Sequence, residues 1–197
     1  MSITTEFAVI KSGIDEEVAL VMRKHLEKNY GPAMSYGDVH HPSDGKYKSD
    51  DEIRKSKISW VPTSSWVAGM LANFITAANV DLFGYDLLYW TDEIQYTSYD
   101  ESGSHYTWHT DMAEASNKVF GQNIYRKLSI SLCLSHADEY DGGEFQLMTQ
   151  CNQPPATYKM DMGDVIVFSS DTRHRVRPIK SGKRISLVGW YGGPKFK

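Results

Sequence analysis

The sequence is poor in the features that mark several classes of protein. Two cysteines among 197 residues are too few for a disulfide framework or a cysteine-based zinc site. No uncharged apolar run approaches the ~18 residues of a membrane-spanning helix, and the first residues lack the basic and apolar regions of a secretion signal. The formal net charge of −4 gives no electrostatic footprint for nucleic acid. We therefore expect a soluble, cytoplasmic protein with reduced thiols and neither a membrane nor a nucleic-acid partner.

What the sequence does contain is typical of one globular unit. Hydrophobic residues make up 41% and charged residues 23%, which are ordinary values for a folded domain. The length suits a single domain, 1–197, with a sizeable core. Twelve tyrosines and five tryptophans favour a β-rich structure, because aromatic side chains fit pleated surfaces.

The first part of the chain, about 1–84, is predicted to be largely helical. One helix begins after Asp15, a potential N-cap, and a second begins after Ser64 or Ser65. The apolar residues of the first helix are predicted to form one broad stripe, made of Val18, Leu20, Val21, Met22 and Leu26. Between them, residues 35–52 are polar and rich in turn formers, which predicts a loop. His40 and His41 fall in this loop and are interpreted as solvated residues rather than ligands.

The second part, about 85–192, is predicted to form the β core on which the two helices pack. Turn formers separate many short runs of β-branched and aromatic residues, a pattern typical of a sandwich or barrel. Cys133 lies in one of these runs and is expected to be buried. The runs are YDLLYW, IQYTSY, HYTWH, LSISLCLS, GEFQLM, DVIVFSS, HRVRPI and RISLVGWY.

A histidine and an aspartate two residues apart, His109 and Asp111, end one of these strands. Residues i and i+2 of a strand share a face, so both side chains can point at one ion. The pair alone is weak support for a metal site, because such pairs are common. His105, four residues earlier, is a decoy or a supporting group.

A third ligand and a cation are candidates further along. His174 follows the apolar strand VIVFSS, and Arg184 lies ten residues later, at the head of RISLVGW. Ser181 and Gly182 form a turn between them, so we predict a hairpin that brings Arg184 close to His174. Two imidazoles and one carboxylate form the facial triad of non-haem Fe(II) oxygenases, and an arginine fork suits a carboxylate.

These residues, in this order, resemble the Fe(II)/2-oxoglutarate-dependent dioxygenases, and most of all prolyl hydroxylases and bacterial PKHD-type hydroxylases. The resemblance covers about 95–192 and rests on three stretches. It implies a double-stranded β-helix core, a jelly roll of the cupin-like kind, with Fe(II), 2-oxoglutarate and O₂ at the site. Ascorbate is a further candidate, as reductant. The stretches are YTSYDESGSHYTWHTD, RKLSISLCLSHADEYDGGEFQLM and MDMGDVIVFSSDTRHRVRPIKSGKRISLVGWY.

The resemblance also implies roles for single residues. His109, Asp111 and His174 would bind iron and carry catalysis. Arg184 would bind the distal carboxylate of 2-oxoglutarate, assisted by the hydroxyl of Ser186. Tyr99 matches a pocket tyrosine of many relatives, and Trp190 a tryptophan near the site in prolyl hydroxylases. For both, an ordinary core position is the alternative.

One departure concerns the run SISLCLS, where some oxygen-sensing prolyl hydroxylases have a second pocket tyrosine. Here one face of the strand offers Ser129, Ser131 and Cys133, and the other offers Ile130, Leu132 and Leu134. The spacing does not decide which face lines the pocket.

The function implied is hydroxylation of an unactivated C–H bond with release of succinate and CO₂. A prolyl residue in a peptide or protein is the leading substrate. The alternatives are another amino acid or a small molecule, or a metalloenzyme of the same fold that does not use 2-oxoglutarate. Oligomeric state does not follow from the sequence.

Overall fold

A computed structural model describes residues 7–41, 46–115, 121–149 and 153–195. Cys151 and part of the 35–52 segment lie outside these ranges. The helical elements are α1 (Glu16–Asn29), a 3₁₀ turn (Gly31–Ala33), α2 (Trp66–Ala78) and a π-helical turn (Asn79–Phe83). The strands are β1 (Phe7–Ile10), β2 (Ser35–Tyr36), β3 (Val39–His41), β4 (Lys46–Lys48), β5 (Arg54–Lys55), β6 (Lys57–Val61), β7 (Tyr89–Trp90), β8 (Ile94–Tyr99), β9 (His105–His109), β10 (Tyr125–Cys133), β11 (Tyr140–Gly142), β12 (Phe145–Leu147), β13 (Ala156–Tyr158), β14 (Val165–Ser169), β15 (His174–Val176), β16 (Ile179–Gly182) and β17 (Arg184–Gly193).

Two antiparallel sheets dominate the fold. The larger runs β1-β14-β10-β17-β8-β6-β2, with β7 also paired to β17, and the smaller runs β13-β12-β15-β9-β5. Two further pairs, β11–β16 and β3–β4, complete the strands of the described residues. The prediction of a mainly β protein with flanking helices is confirmed.

Strand β17 shows how the sequence divides the interior into two layers. Ile185 and Leu187 belong to the core cluster that contains the buried residues of both helices. Arg184 and Ser186, on the opposite face, line a cavity between the two sheets. Because successive side chains of a strand point to opposite faces, one strand supplies both the helix-packing core and the cavity wall.

The two helices cover the larger sheet, as expected, but the buried stripe of α1 differs from the predicted one. Ala19, Met22 and Leu26 are fully buried, at a spacing that places them on one helix face. Val18 and Val21, which the sequence had placed in the stripe, are 39% and 61% exposed. Apolar periodicity alone could not choose between overlapping stripes.

The second helix begins as the sequence predicts. Ser65 is its N-cap, and the Ser65 hydroxyl accepts a hydrogen bond from the backbone N–H of Val67 at 3.3 Å. This bond satisfies one of the N–H groups that a helix start leaves without a partner.

The stretch Trp66–Phe83 has a length of 18 residues and a mean hydropathy of 1.3, enough for a candidate membrane span. Asp81 interrupts it, so it is not the uncharged window considered above. Its buried residues, which include Leu71 and Ile75, pack in the core beneath the larger sheet. Core helices of water-soluble proteins pass the same test, so the stretch is weak support for a membrane span.

The region before residue 84 is less helical than predicted. Strands β1 to β6 lie there, and the 35–52 segment, predicted to be a loop, contains β2, β3 and β4. Strand β2 pairs with β6 at the edge of the larger sheet, and β3 pairs with β4. Sheet edges tolerate polar residues, so these strands carry little of the apolar alternation that sequence reasoning requires.

The predicted hairpin between the His174 and Arg184 strands is wrong. Strand β15 pairs with β9 and β12 in the smaller sheet, whereas β17 pairs with β8 and β10 in the larger. Pro178 lies between them and lacks the N–H that would continue a ladder. Strand β16 then pairs with β11, so the chain crosses from one sheet to the other.

Candidate metal centre

Three side chains converge where β9 and β15 run side by side. His109 and His174 are register partners, and Asp111 follows two residues after the end of β9. One nitrogen or oxygen atom from each of the three lies within 4.8 Å of the others. His109 Nε2 is 3.6 Å from Asp111 Oδ1, and His174 Nε2 is 3.4 Å from Asp111 Oδ2. Such a cluster can hold a metal ion.

Backbone carbonyls orient both imidazoles. His109 Nδ1 lies 2.8 Å from the carbonyl oxygen of Thr107, and His174 Nδ1 lies 2.9 Å from that of Thr172. A carbonyl only accepts, so each Nδ1 must carry the proton and donate it. Each Nε2 therefore presents a lone pair to the centre of the cluster, which is the arrangement that metal-binding histidines need.

The carboxylate of Asp111 is held in place and kept ionised. The hydroxyl of Ser129 donates to its Oδ2 at 2.8 Å, and the indole N–H of Trp190 faces it without reaching full hydrogen-bond geometry. Burial alone would raise the pKa of Asp111, but the neighbouring His174 and His109, together with the permanent positive charge of Arg126, outweigh burial and lower it. An ionised carboxylate is the form that binds a cation.

The surroundings favour the neutral, metal-binding form of the imidazole. Burial first, and then the neighbouring His174, lower the pKa of His109 to about 3. The ring of Tyr106 stacks on His109 with centroids 3.6 Å apart, and Phe168 meets the edge of His174 at 4.6 Å. These aromatic contacts limit the rotation of both ligands.

The cluster opens on a cavity of about 890 Å³ between the two sheets. The predicted site residues all line it, together with apolar residues from both sheets. Among the lining residues are Arg54, Tyr99, Tyr106, His109, Asp111, Phe145, Phe168, His174, Arg184, Ser186 and Trp190.

Arg184 is a buried cation without an anionic partner among the described residues. The residue is only 1% exposed to solvent. Nη1 donates to the hydroxyl of Ser186 at 3.2 Å, Nη2 contacts the sulfur of Met160 at 3.6 Å, and Nε has no hydrogen-bond partner within the described ranges. An unpaired buried charge is costly, so this position suits an anionic ligand.

Residues 94–192 match the family described as the 2OG-Fe(II) oxygenase superfamily, where 2OG is 2-oxoglutarate. The chain belongs to this superfamily. It is 36% identical over 91 residues to a PKHD-type hydroxylase of Gloeothece citriformis and 37% identical over 95 residues to one of a Synechococcus strain. Each alignment covers 38% of the relative, and 46% and 47% of this chain respectively.

Solved structures of oxygenases share the fold over nearly the whole chain. A prolyl-4-hydroxylase of Pseudomonas putida superposes with a TM-score of 0.70 at 18% identity, covering 98% of this chain and 94% of that one. A prolyl hydroxylase of Trichoplax adhaerens, in complex with a hypoxia inducible factor peptide fragment, gives 0.69 at 18% identity, covering 94% and 82%. The prediction of a jelly-roll core is confirmed.

The same cavity contains Tyr99 and Ser186, two of the auxiliary residues that the resemblance implied. Tyr99 is the register partner of Arg184, and its ring centroid lies 5.6 Å from the guanidinium carbon. Burial raises the pKa of Tyr99, so the phenol stays protonated and can donate a hydrogen bond. Ser186 bonds directly to Arg184, as given above. Their roles toward a ligand stay predictions.

His105 is brought to a different place from the triad. Its Nδ1 lies 2.8 Å from the carbonyl oxygen of Gly103, and its Nε2 lies 3.2 Å from that of Glu52. Both nitrogens are thus engaged by backbone oxygens outside the metal cluster. Of the two readings of His105, decoy or supporting group, the contacts favour the decoy.

The structure resolves the faces of β10 that the sequence left open. Ser131 lines the cavity and Ser129 bonds to Asp111, whereas Ile130 and Leu132 pack with the helices. Cys133, on the serine face, is fully buried as predicted. The serine face of β10 is therefore the one turned toward the cavity.

Two residues beside the site escaped the sequence reasoning. Tyr140, the first residue of β11, is buried in the same cluster as Tyr99 and is close enough to Arg184 to act on the guanidinium electrostatically. Arg54 lines the cavity but stands in the charged run DDEIRKSK. Nothing in that run distinguishes a buried arginine from a solvated one.

Proposed function

We propose that this chain is an Fe(II)- and 2-oxoglutarate-dependent dioxygenase that hydroxylates an unactivated C–H bond, with release of succinate and CO₂. One observation carries the proposal. A largely buried His-Asp-His cluster and a buried arginine, which has no anionic partner in the described part of the chain, open on the same cavity. Membership of the superfamily supports the same conclusion.

The residues fit the proposed metal and co-substrate. His109, Asp111 and His174 would bind Fe(II), because two imidazoles and a carboxylate leave positions free for other ligands. Arg184 would bind the distal carboxylate of 2-oxoglutarate through its planar fork, with Ser186 beside it. When bound, iron and 2-oxoglutarate supply the oxidising chemistry with O₂, which no side chain can provide.

The chain itself contributes order and exclusion of water. Ser129 fixes the carboxylate of Asp111, and the backbone carbonyls behind both histidines fix the imidazoles. Phe145 and Phe168 form an apolar wall of the cavity. A site held this way needs little rearrangement to accept its ligands.

For the substrate, we propose a prolyl residue in a peptide or protein. Trp60 and Tyr36 line the cavity and are partly open to solvent, so they offer flat surfaces on which a proline ring can pack. The prolyl hydroxylases among the structural neighbours support this choice by fold alone. Another amino acid or a small molecule is the second candidate.

Arg184 disfavours a metalloenzyme that does not use 2-oxoglutarate. Ascorbate as reductant and a cytoplasmic location stay predictions.

The first test is an anaerobic titration of the metal-free protein with Fe(II) and 2-oxoglutarate. We expect the weak visible charge-transfer band of the chelate to appear only when both are present. His174→Ala should abolish it, whereas His105→Ala, which removes a histidine of β9 outside the cluster, should retain it. Absence of the band from the wild type, or its survival in His174→Ala, would overturn the proposal.

The substrate is tested separately by oxygen-dependent succinate release. Prolyl peptides should stimulate release above the rate with 2-oxoglutarate alone, and the matching peptides with alanine in place of proline should not. Equal stimulation by both peptide sets would refute the prolyl substrate and leave the iron and 2-oxoglutarate assignment intact.

A further inference from the structure

A second buried arginine lies beside the metal cluster. Arg54, on β5, is the register partner of Tyr106 on β9 and lines the cavity. The residue is 6% exposed. Its guanidinium carbon lies 4.8 Å from the ring centroid of Tyr106, whose ring in turn stacks on His109. Arg54 is therefore separated from a proposed iron ligand by one aromatic ring.

The hydrogen bonds of Arg54 are incomplete. Its Nε donates to the hydroxyl of Ser56 at 2.8 Å. Its Nη2 is buried and finds no partner in the ranges that the structure describes, and no ion pair there includes Arg54. Partial satisfaction of this kind is unfavourable for a permanently charged group.

The chain makes room for this guanidinium. A Cβ atom on residue 37 would lie 2.8 Å from Arg54 Nε and 2.9 Å from its Cζ, so Gly37 lets the backbone pass against the charged head. Packing on an aromatic ring would not by itself require an arginine. A planar cation with a free donor that lines a cavity suits an anion, and a carboxylate matches the fork best.

We propose that Arg54 is a second carboxylate-binding residue of the cavity, separate from Arg184. The inference rests on the proposed function, which already assigns the distal carboxylate of 2-oxoglutarate to Arg184. Two sources of the carboxylate remain. One is the other carboxylate of 2-oxoglutarate, and the other is a carboxylate on the primary substrate, which would make Arg54 a determinant of substrate specificity.

Binding without turnover separates these sources. The probe is the intrinsic fluorescence of the protein, since Trp60 and Trp190 line the cavity, with Mn(II) in place of Fe(II) and without O₂. The first arm titrates 2-oxoglutarate. The second arm titrates free L-amino acids, proline included, and compares each with its carboxamide. It is run at saturating 2-oxoglutarate; if the protein does not bind 2-oxoglutarate, it is run without it.

Arg54→Gln should weaken the binding of the relevant carboxylate at least about tenfold, the size expected for loss of a hydrogen bond to a charged group. Arg54→Lys should restore part of the affinity because it keeps the charge. Lys55→Gln, which changes the next residue of β5 and removes an ion pair with Glu101, is the matched control and should bind like the wild type.

The pattern of losses names the source. If Arg54→Gln weakens the binding of 2-oxoglutarate but of no amino acid, Arg54 binds the co-substrate. If the variant loses a preference of the wild type for amino acids over their carboxamides, Arg54 binds the primary substrate. Equal affinities of the wild type and Arg54→Gln for 2-oxoglutarate and for every acid and amide would overturn the proposal. A wild type that fails to bind 2-oxoglutarate would instead overturn the proposed function, and the amino-acid arm would still decide on Arg54.

Gly37→Ala gives an independent check if Arg54→Gln fails to fold. The added methyl group should displace the guanidinium without removing its charge. We expect Gly37→Ala to weaken the binding of the same carboxylate whose binding Arg54→Gln or Arg54→Lys weakens. An unchanged affinity in both Gly37→Ala and Arg54→Lys would contradict the inference.

Discussion

Replacing Arg184 by methionine should have opposite effects on the empty and the liganded protein. The guanidinium is buried, one of its nitrogens finds no hydrogen-bond partner in the part of the chain that the structure describes, and its neighbour Met160 is apolar. Methionine is shorter than arginine but close to it in volume, and it carries no charge. Exchange of buried ionic groups for apolar ones of similar volume stabilises proteins by about 1–4 kcal/mol in known cases, so we expect Arg184→Met to raise the unfolding free energy of the empty protein by at least about 1 kcal/mol.

The liganded protein should show the reverse order. At a 2-oxoglutarate concentration of about 100 times the dissociation constant, binding stabilises the wild type by about 2.7 kcal/mol. Hydrogen bonds to charged groups contribute about 1.5–3 kcal/mol each, so losing a bidentate pair should weaken binding at least about 100-fold. At the same concentration the variant would then gain only about 0.4 kcal/mol. The wild type becomes the more stable protein when the substitution raises the unfolding free energy of the empty protein by less than about 2.3 kcal/mol, the difference between the two gains.

Urea unfolding of both proteins, loaded with Mn(II), with and without 2-oxoglutarate, measures this reversal. Arg177→Met is the matched control, because Arg177 is a surface arginine whose nearest carboxylate oxygen, on Glu144, is 3.7 Å away. It should leave the stabilisation by 2-oxoglutarate unchanged. If Arg184→Met is stabilised by 2-oxoglutarate as much as the wild type, Arg184 does not bind the co-substrate. If the empty variant is instead less stable, the guanidinium has favourable contacts beyond those described.

Three further outcomes are expected. Ser129→Ala should lower the affinity for Mn(II) about 10- to 100-fold, because it removes the hydrogen bond to Asp111. Ser131→Ala is the control and should bind Mn(II) like the wild type. Equal affinities of Ser129→Ala and the wild type in a metal titration would refute this role of Ser129. Hydrogen bonding lowers the pKa of Glu101 from 4.5 to about 2, so the stability advantage of the wild type over Glu101→Gln should be complete above about pH 5 and shrink as the pH falls toward 2. An advantage in urea midpoints that does not change with pH would contradict that assignment. Gly142→Ala should lower the unfolding free energy by more than about 1 kcal/mol, because the residue has φ +77° and an added Cβ would lie 2.3 Å from a backbone oxygen; an unchanged thermal midpoint would show that the backbone adapts.

Parts of the site were predictable because they depend on local spacing. His109 and Asp111 lie two apart at the end of a strand, and period-2 alternation also put Ser186 on the face of Arg184. The prediction of a hairpin between the strands of His174 and Arg184 was wrong, because a turn signal does not say with which sheet the next strand pairs. The two residues instead line the same cavity from different sheets.

Other parts were invisible to sequence reasoning because they depend on long-range pairing. Arg54 reaches the cavity only because β5 pairs with β9. Val18 and Val21 have the apolar character of core residues, yet the docking of α1 on the sheet leaves them exposed. In each case the sequence pattern is the same for a buried and an exposed outcome, and the choice is made by the neighbouring element.

The sequence by itself determined the mainly β class, the two helices and the set of residues able to form a His-Asp-His cluster with an arginine, since these follow from periodicity, capping and side-chain chemistry. Only the tertiary structure decided that the cluster and Arg184 belong to opposite sheets of one cavity, that Ser129 fixes the carboxylate, and that a second arginine is buried with no anionic partner among the described residues. The physical reason is that strand pairing joins residues distant along the chain, and burial then removes the water that would otherwise satisfy their charges.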